Sequence, residues 1–278
     1  DVRANRSIAH FAAVAKLAEQ HLFDLVFLSD APAVFNDDRA GFSGRVASFE
    51  PLTLLSALAM VTTDIGLVAT SSTTYKEPYN VAREYASLDL ISGGRAAWNL
   101  VTTSKLAAAG NFGPSPHPPH ADRYRRAEEF FDVVCRLWDT WEDDAFPADK
   151  ASGRYFDPAK RHPVRHDGSH FQLSAELNVP RPVQGYPVIV QAGSSDAGRQ
   201  LAARTADIVF TAQQELESAQ AFVADLDARR SLLGRGVPRA IVMPGLTVYA
   251  GRTRQEAQDR VRALQALVQA KDWIAREG

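Results

Sequence analysis

Two rhythms alternate along the chain. Stretches with apolar residues at helical spacing are followed by short, almost wholly apolar runs rich in Val, Ile and Phe. Repeated end to end, this is the pattern of βα units around a parallel sheet whose strands are buried on both faces. The spacing predicts a helix over Ser7 to Gln20, then a strand over Asp24 to Ser29. A helix over Pro51 to Thr62, with Pro in its first turn, leads to a strand over Ile65 to Thr70. A helix over Glu77 to Ile91, closed by Gly93 and Gly94, leads to a strand over Arg95 to Val101. A loop-like stretch from Thr102 to Pro119 precedes a long amphipathic helix from about Ala121 to Trp141.

From Glu142 to Tyr186 the pattern changes to charged residues punctuated by Gly and Pro, with short alternating pieces such as His170 to Leu173. This reads as an insertion between barrel units and as a candidate lid, since long connections often serve function. The alternation then resumes with strand Val188 to Ala192, helix Asp196 to Thr205, strand Ile208 to Thr211 and helix Leu216 to Leu233. Strand Ala240 to Tyr249 and a last helix from Arg252 to about Ala270 complete the series. The expected architecture is an α/β fold, a (β/α)8 TIM barrel with insertions, read as a single domain over 1–278. Six strands are visible, and an eight-stranded barrel needs two more.

Composition narrows the function. The 278 residues are 45% hydrophobic and 23% charged, with a formal net charge of -2 and the two signs interspersed. Nothing in that distribution favours nucleic acid or an anionic membrane as a partner. Cys135 is the only thiol, so no internal disulfide and no cysteine-based metal cluster can form, which fits a cytoplasmic protein. It sits in a helical pattern where a small buried hydrophobe is expected. No run of 18 apolar residues occurs, and Asp1 to Ser7 is charged where a secretory signal is apolar, so a soluble protein is expected.

In a (β/α)8 barrel the chemistry lies past the C-terminal ends of the strands. The residues there are Asp30, the hydroxyl cluster Thr70, Ser71, Ser72, Thr73 and Thr74, the run Asn99 to Ser104, the run Gly193 to Asp196, and Ala212 with Gln213. Gly193, Ser194 and Ser195 lie between a strand and a helix start, where backbone N–H groups, hydroxyls and the helix dipole converge on an anion. An N-cap role for Ser195 or Asp196 explains the same residues. Asp30 suits a general base, a cofactor acceptor or a cap, and the hydroxyl cluster suits a ligand wall or a solvated turn. His120 and Tyr124 project from one face of a helix start, with Arg123 and Arg125 nearby, and suit an anionic group; a helix start and a core tyrosine are the plainer reading. His162, His166 and His170 share metal-like spacing, but Pro163, Asp167 and Gly168 break the helix it requires, so no metal is expected. No nucleophile elbow, Walker loop or GxGxxG follows a strand.

Several segments together resemble one family. They are FDLVFLSD (Phe23 to Asp30), SFEPLTLLSALAMVT (Ser48 to Thr62), IGLVATSSTTYKEPYNVAREYASLDLISGGRAAWNLVTT (Ile65 to Thr103), NFG (Asn111 to Gly113) and HADRYRRAEEF (His120 to Phe130). The others are LWDTWEDDA (Leu137 to Ala145), HFQLSAELNVPRPVQGYPVIVQAGSSDAGRQLAARTADIVFTAQ (His170 to Gln213) and MPGLTVYAGRT (Met243 to Thr253). In this order they are similar to the nitrilotriacetate, dibenzothiophene sulfone and pristinamycin synthase group of FMN-dependent monooxygenases, within the bacterial-luciferase superfamily.

The resemblance implies that Asp30, Thr70, His120, Tyr124 and Ser195 line an FMN site with Ser194 beside it, Tyr124 and Ser195 toward the phosphate and Asp30 and Thr70 toward the flavin ring. Asn99 is a further candidate, and Ser71 and Gly193 complete the cofactor-binding set. It also implies a two-component reaction: a separate NAD(P)H:FMN reductase supplies reduced FMN, and O2 gives one oxygen atom to a small organic substrate, with C–N or C–S cleavage in some members. Homo-oligomers are usual in such a group. The family's first strand and its histidine-bearing loop have no counterpart here. A deazaflavin-dependent hydride-transfer enzyme of the same superfamily, or a non-catalytic flavin-binding barrel, are the alternatives.

Overall fold

The computed structural model describes residues 3–34, 46–113, 116–235 and 238–267. Its centre is a six-stranded, all-parallel sheet in the order β1-β2-β3-β6-β7-β8. The strands are β1 (Leu25–Leu28), β2 (Gly66–Ser72), β3 (Ala96–Val101), β6 (Val188–Gln191), β7 (Ile208–Thr211) and β8 (Ile241–Pro244). Helix α1 (Ile8–Gln20) precedes β1, and α2 (Pro51–Ala59), α3 (Pro78–Ser92), α4 (His120–Trp138), α5 (Asp196–Thr205) and α6 (Leu216–Leu232) each connect one strand to the next in the sheet. Helix α7 (Arg254–Ala266) follows β8. The remaining strands, β4 (Val164–Asp167) and β5 (Gln172–Ala175), form a separate antiparallel hairpin.

The sheet is curled. Phe27 on β1 and Phe210 on β7 are separated by three intervening strands, yet their rings meet edge to face with centroids 6.2 Å apart. Strand pleating explains which residues share that interior, because alternate side chains point to opposite faces. Leu25, Phe27, Val68, Ala97, Val188, Val190 and Ile208 cluster on the concave side, while Leu67, Ala69, Trp98, Leu100 and Ile189 pack outward against the helices. Trp98 is fully buried against Tyr85, Phe130 and Trp138 and donates from Nε1 to the Ser71 carbonyl at 3.1 Å. Among the described residues β1 and β8 each pair on one side only, so the observed architecture is a curled parallel sheet, part of a barrel wall rather than the closed eight-stranded barrel expected from the sequence.

Several boundaries differ from those expected; helix α2, for one, ends at Ala59 rather than Thr62. Strand β2 continues to Ser72 instead of ending at Thr70, so Ser71 lies inside it rather than past its end. Strand β8 stops at Pro244 instead of Tyr249, because Pro cannot extend a ladder and Gly245 follows. Helix α4 ends at Trp138, with Asp139 as its C-cap. Of the alternating piece His170 to Leu173 only Gln172 and Leu173 fall in β5, because the Glu129 carboxylate accepts the backbone N–H groups of His170 and Phe171, removing them from pairing.

The insertion 142–186 lies away from the strand C-termini. Helix α4 starts where β3 ends and runs back toward the strand starts, so whatever follows it emerges at the opposite face. Gln184 accordingly bonds Asp89 Oδ1 at 2.6 Å and the carbonyl of Ala96, the first residue of β3. The hairpin is pinned to the outside of α4 by Glu129, which also meets His166 Nε2 at 2.9 Å, and Arg126 stacks over Phe171 with its carbon 4.2 Å from the ring centre.

Candidate active site

At the C-terminal ends of the strands is a cavity of about 540 Å³. Asp30, Thr70, His120, Tyr124, Gly193, Ser194 and Ser195 all line it, brought together from β1, β2, the start of α4 and the β6–α5 turn. Among the described residues lining it, none comes from 142–186, so the insertion is not its lid. Ala212 and Gln213 do not border it either.

The β6–α5 turn is built for close approach. Ser195 is the N-cap of α5 and accepts from the Gly198 N–H at 3.1 Å, which leaves its hydroxyl hydrogen to donate outward. The N–H groups of the first turn lack intrahelical acceptors and, with the helix dipole, favour an anion. A Cβ on Gly193 would stand 2.9 Å from the Gly198 Cα and 3.4 Å from the Tyr124 hydroxyl, so only glycine lets strand end, helix and tyrosine meet here. Asp196 would oppose an anion, but Arg229 draws its carboxylate aside at 2.6 Å and lowers its pKa. His120 and Tyr124 lie on one face of α4 with ring centroids 4.7 Å apart.

The other end of the cavity is rich in acceptors. Thr70 Oγ1 donates to the Leu28 carbonyl at 2.7 Å and accepts from Asn99 Nδ2 at 2.8 Å, so its remaining lone pair can only accept. Asn99 Oδ1 is buried without a partner. Asn99 thus supports Thr70 from below and is not itself on the cavity wall. Burial, reinforced by the Glu50 charge, raises the Asp30 pKa above the ordinary carboxylate range; the Ala31 N–H and Lys76 oppose this.

Ser71 is a correction. Pleating turns it away from Thr70 toward the helices; it is 1% exposed and lies outside the cavity lining. Conversely, Ser72, Thr103, Arg123 and Gln191 line the cavity. Thr103 Oγ1 donates to Ser72 Oγ at 2.6 Å, closing the rim between β2 and β3. Gln191 is visible in the sequence only as an amide ending the apolar run VIVQ, and its buried Nε2 has no partner. The three spaced histidines diverge: His162 meets Glu142, His166 meets Glu129, and His170 offers its backbone N–H to Glu129. Cys135 is half-buried against the core, and burial with the nearby Asp132 and Asp139 charges pushes its thiol up to about 12.

A helix N-terminus that favours an anion and a set of buried acceptors, gathered around one cavity, suit a phosphorylated ring cofactor. The family model described as luciferase-like monooxygenase matches residues 1–276. This chain belongs to the luciferase-like monooxygenase family. It is 48% identical over 270 residues to nitrilotriacetate monooxygenase component A of Aminobacter aminovorans, covering 94% of this chain and 60% of that protein. The crystal structure of a long-chain alkane monooxygenase superposes with a TM-score of 0.93 at 33% identity, covering 98% of this chain and 64% of that one. That of a riboflavin lyase, solved with modified FMN and substrate riboflavin, gives 0.90 at 33% identity, covering 97% and 62%. The resemblance noted in the sequence is thereby borne out at family level, and the chain spans about 60% of the length of the curated relative it matches. Among the described residues, no helix is long and apolar enough to cross a membrane.

Proposed function

We propose that this protein is the oxygenase of a two-component flavin monooxygenase, a cytoplasmic homo-oligomer that receives reduced FMN from a separate NAD(P)H:FMN reductase. The observation that carries the reading is the cavity itself, with the Gly193–Ser195 turn, Gly198 and the Tyr124 hydroxyl at one end and Asp30 and Thr70 at the other. In the whole protein the six strands are part of a closed (β/α)8 barrel. When bound, reduced FMN supplies the two electrons by which one atom of O2 enters the substrate and the other leaves as water.

The residues divide the work. Ser195, Ser194 and the first-turn amides of α5 hold the phosphate, with Tyr124 and His120 closing over it. Thr70, fixed as an acceptor by Leu28 and Asn99, and Asp30 take ring N–H groups. Reduced flavin carries more N–H groups than oxidised flavin, so this end of the cavity favours the reduced form. Apolar walls from Leu100, Val101 and Leu201 exclude water from the reacting centre. The substrate is a small organic molecule, and the high identity to a nitrilotriacetate monooxygenase supports a carboxylate with a C–N bond.

The test supplies reduced FMN through a reductase under 18O2 and follows candidate C–N and C–S substrates by mass spectrometry. One 18O atom in a product is expected. Flavin oxidation that yields only hydrogen peroxide with every substrate would overturn the reading.

A further inference from the structure

Arg123 is 9% exposed and lines the cavity, yet among the described residues no carboxylate pairs with it. Other arginines are handled differently. Arg95 uses all three nitrogens on four carbonyls and a hydroxyl, Arg204 takes both oxygens of Asp132, and Arg229 holds Asp225 and Asp196. Arg230 is also buried without a carboxylate, but carbonyls take both of its terminal nitrogens, and it is away from the cavity. In Arg123 only Nη1 is engaged, donating to the Pro118 carbonyl at 2.7 Å and meeting His117 Nε2 at 2.8 Å. Its Nε is buried without a partner, and its Nη2 makes no bond to the described residues.

A guanidinium cannot shed its proton, and keeping it dry without a counter-charge is costly. The unused Nε and Nη2 edge is the one that grips a carboxylate or phosphate by two parallel bonds. The other edge is held by a relay. Because Nη1 donates to His117 Nε2, the neutral imidazole carries its hydrogen on Nδ1 and donates to the Tyr75 oxygen at 2.6 Å. Burial and the Arg123 charge lower the His117 pKa against a bond at the Thr103 backbone that raises it, and Tyr75 is itself stacked on Phe112 with centroids 4.5 Å apart.

We propose that Arg123 is the counter-ion for an oxyanion of the bound ligand, a phosphate or a carboxylate, and that His117 is a positioning residue that holds Nη1 and leaves Nε and Nη2 unengaged. The identity of the ligand rests on the flavin reading; the anion site does not.

The experiment compares wild type with Arg123→Gln and Arg123→Lys, titrating FMN, riboflavin, inorganic phosphate and nitrilotriacetate, and records the melting temperature without ligand. Arg123→Gln should weaken an oxyanion ligand by at least about tenfold while riboflavin, if bound, is unaffected. Arg123→Lys should recover part of the loss, since it keeps the charge without the fork. A loss confined to FMN and phosphate assigns the cofactor; a loss confined to nitrilotriacetate assigns the substrate. Without ligand, the melting temperature of Arg123→Gln should be unchanged or raised, because the costly charge is gone. If no flavin binds, the functional reading falls, and phosphate and nitrilotriacetate still decide the role of Arg123. Equal anion affinities in all three proteins, no anion binding by wild type, or a ligand-free Arg123→Gln that melts several degrees lower would overturn the proposal.

Discussion

Gly193 and Gly198 stand so close that a Cβ on either would lie 2.9 Å from the Cα of the other, and one on Gly198 would lie 3.1 Å from the Tyr124 hydroxyl. The contact sets how near the β6 strand end comes to α5, and so the shape of the turn proposed to hold the phosphate. Gly198→Ala should destabilise the protein by about 1–3 kcal/mol, as overpacking does, and weaken FMN more than riboflavin. Denaturant unfolding and parallel titrations measure both.

Ser195 is the helix cap and, in the proposed reading, also a phosphate-binding hydroxyl. Ser195→Ala should cost about 0.5–2 kcal/mol of stability through the lost cap. It should also reduce FMN affinity while leaving riboflavin affinity unchanged. Ser195→Asp separates the two roles: the cap is restored, and FMN affinity falls further because two anions now face each other.

Asp30 carries a pKa raised by burial and by Glu50. A carboxyl whose folded pKa exceeds its unfolded value stabilises the fold below the unfolded pKa, and that contribution is lost as pH rises through the folded one. Asp30→Asn should therefore stabilise the protein at neutral pH and not at pH 3, the gain appearing as pH rises through the acid range. The same variant should weaken reduced FMN. Thermal melts across pH, with flavin titration at pH 7, check the pair.

Glu129 has the opposite sign. Burial raises its pKa, but bonds from His166, Phe171 and His170 outweigh this and hold it below the ordinary value of 4.5. Its contribution is present above that value and lost as pH falls through the folded one. Glu129→Gln should cost about 1.5–3 kcal/mol and speed amide exchange at His170 and Phe171. FMN affinity should not change, since the hairpin does not reach the cavity, and hydrogen exchange with flavin titration tests this.

What the sequence disclosed follows from what each signal depends on. The βα alternation depends on local burial pattern, so all six parallel strands and the start of α5 at Asp196 were readable from it. Pleating was the information missing at Ser71: adjacent hydroxyls looked alike in a row, but only alternate ones face the cavity. The side on which 142–186 lies follows from chain direction, since a segment after a helix returns to the strand starts; reading it as a lid overlooked that rule. Arg123 was visible only as charge near His120 and Tyr124, and Gln191 not at all, because their signal is burial without a partner, which arises only when distant segments close around them.

The central claim is that the cavity holds FMN, cradle on phosphate and acceptors on the ring, in its reduced state. The most direct test is an anaerobic titration of the purified protein with reduced FMN, oxidised FMN and a reduced deazaflavin. A one-to-one complex that binds reduced FMN more tightly than oxidised FMN, and both more tightly than the deazaflavin, is the predicted result. No binding of reduced FMN, or a preference for the deazaflavin, would contradict it.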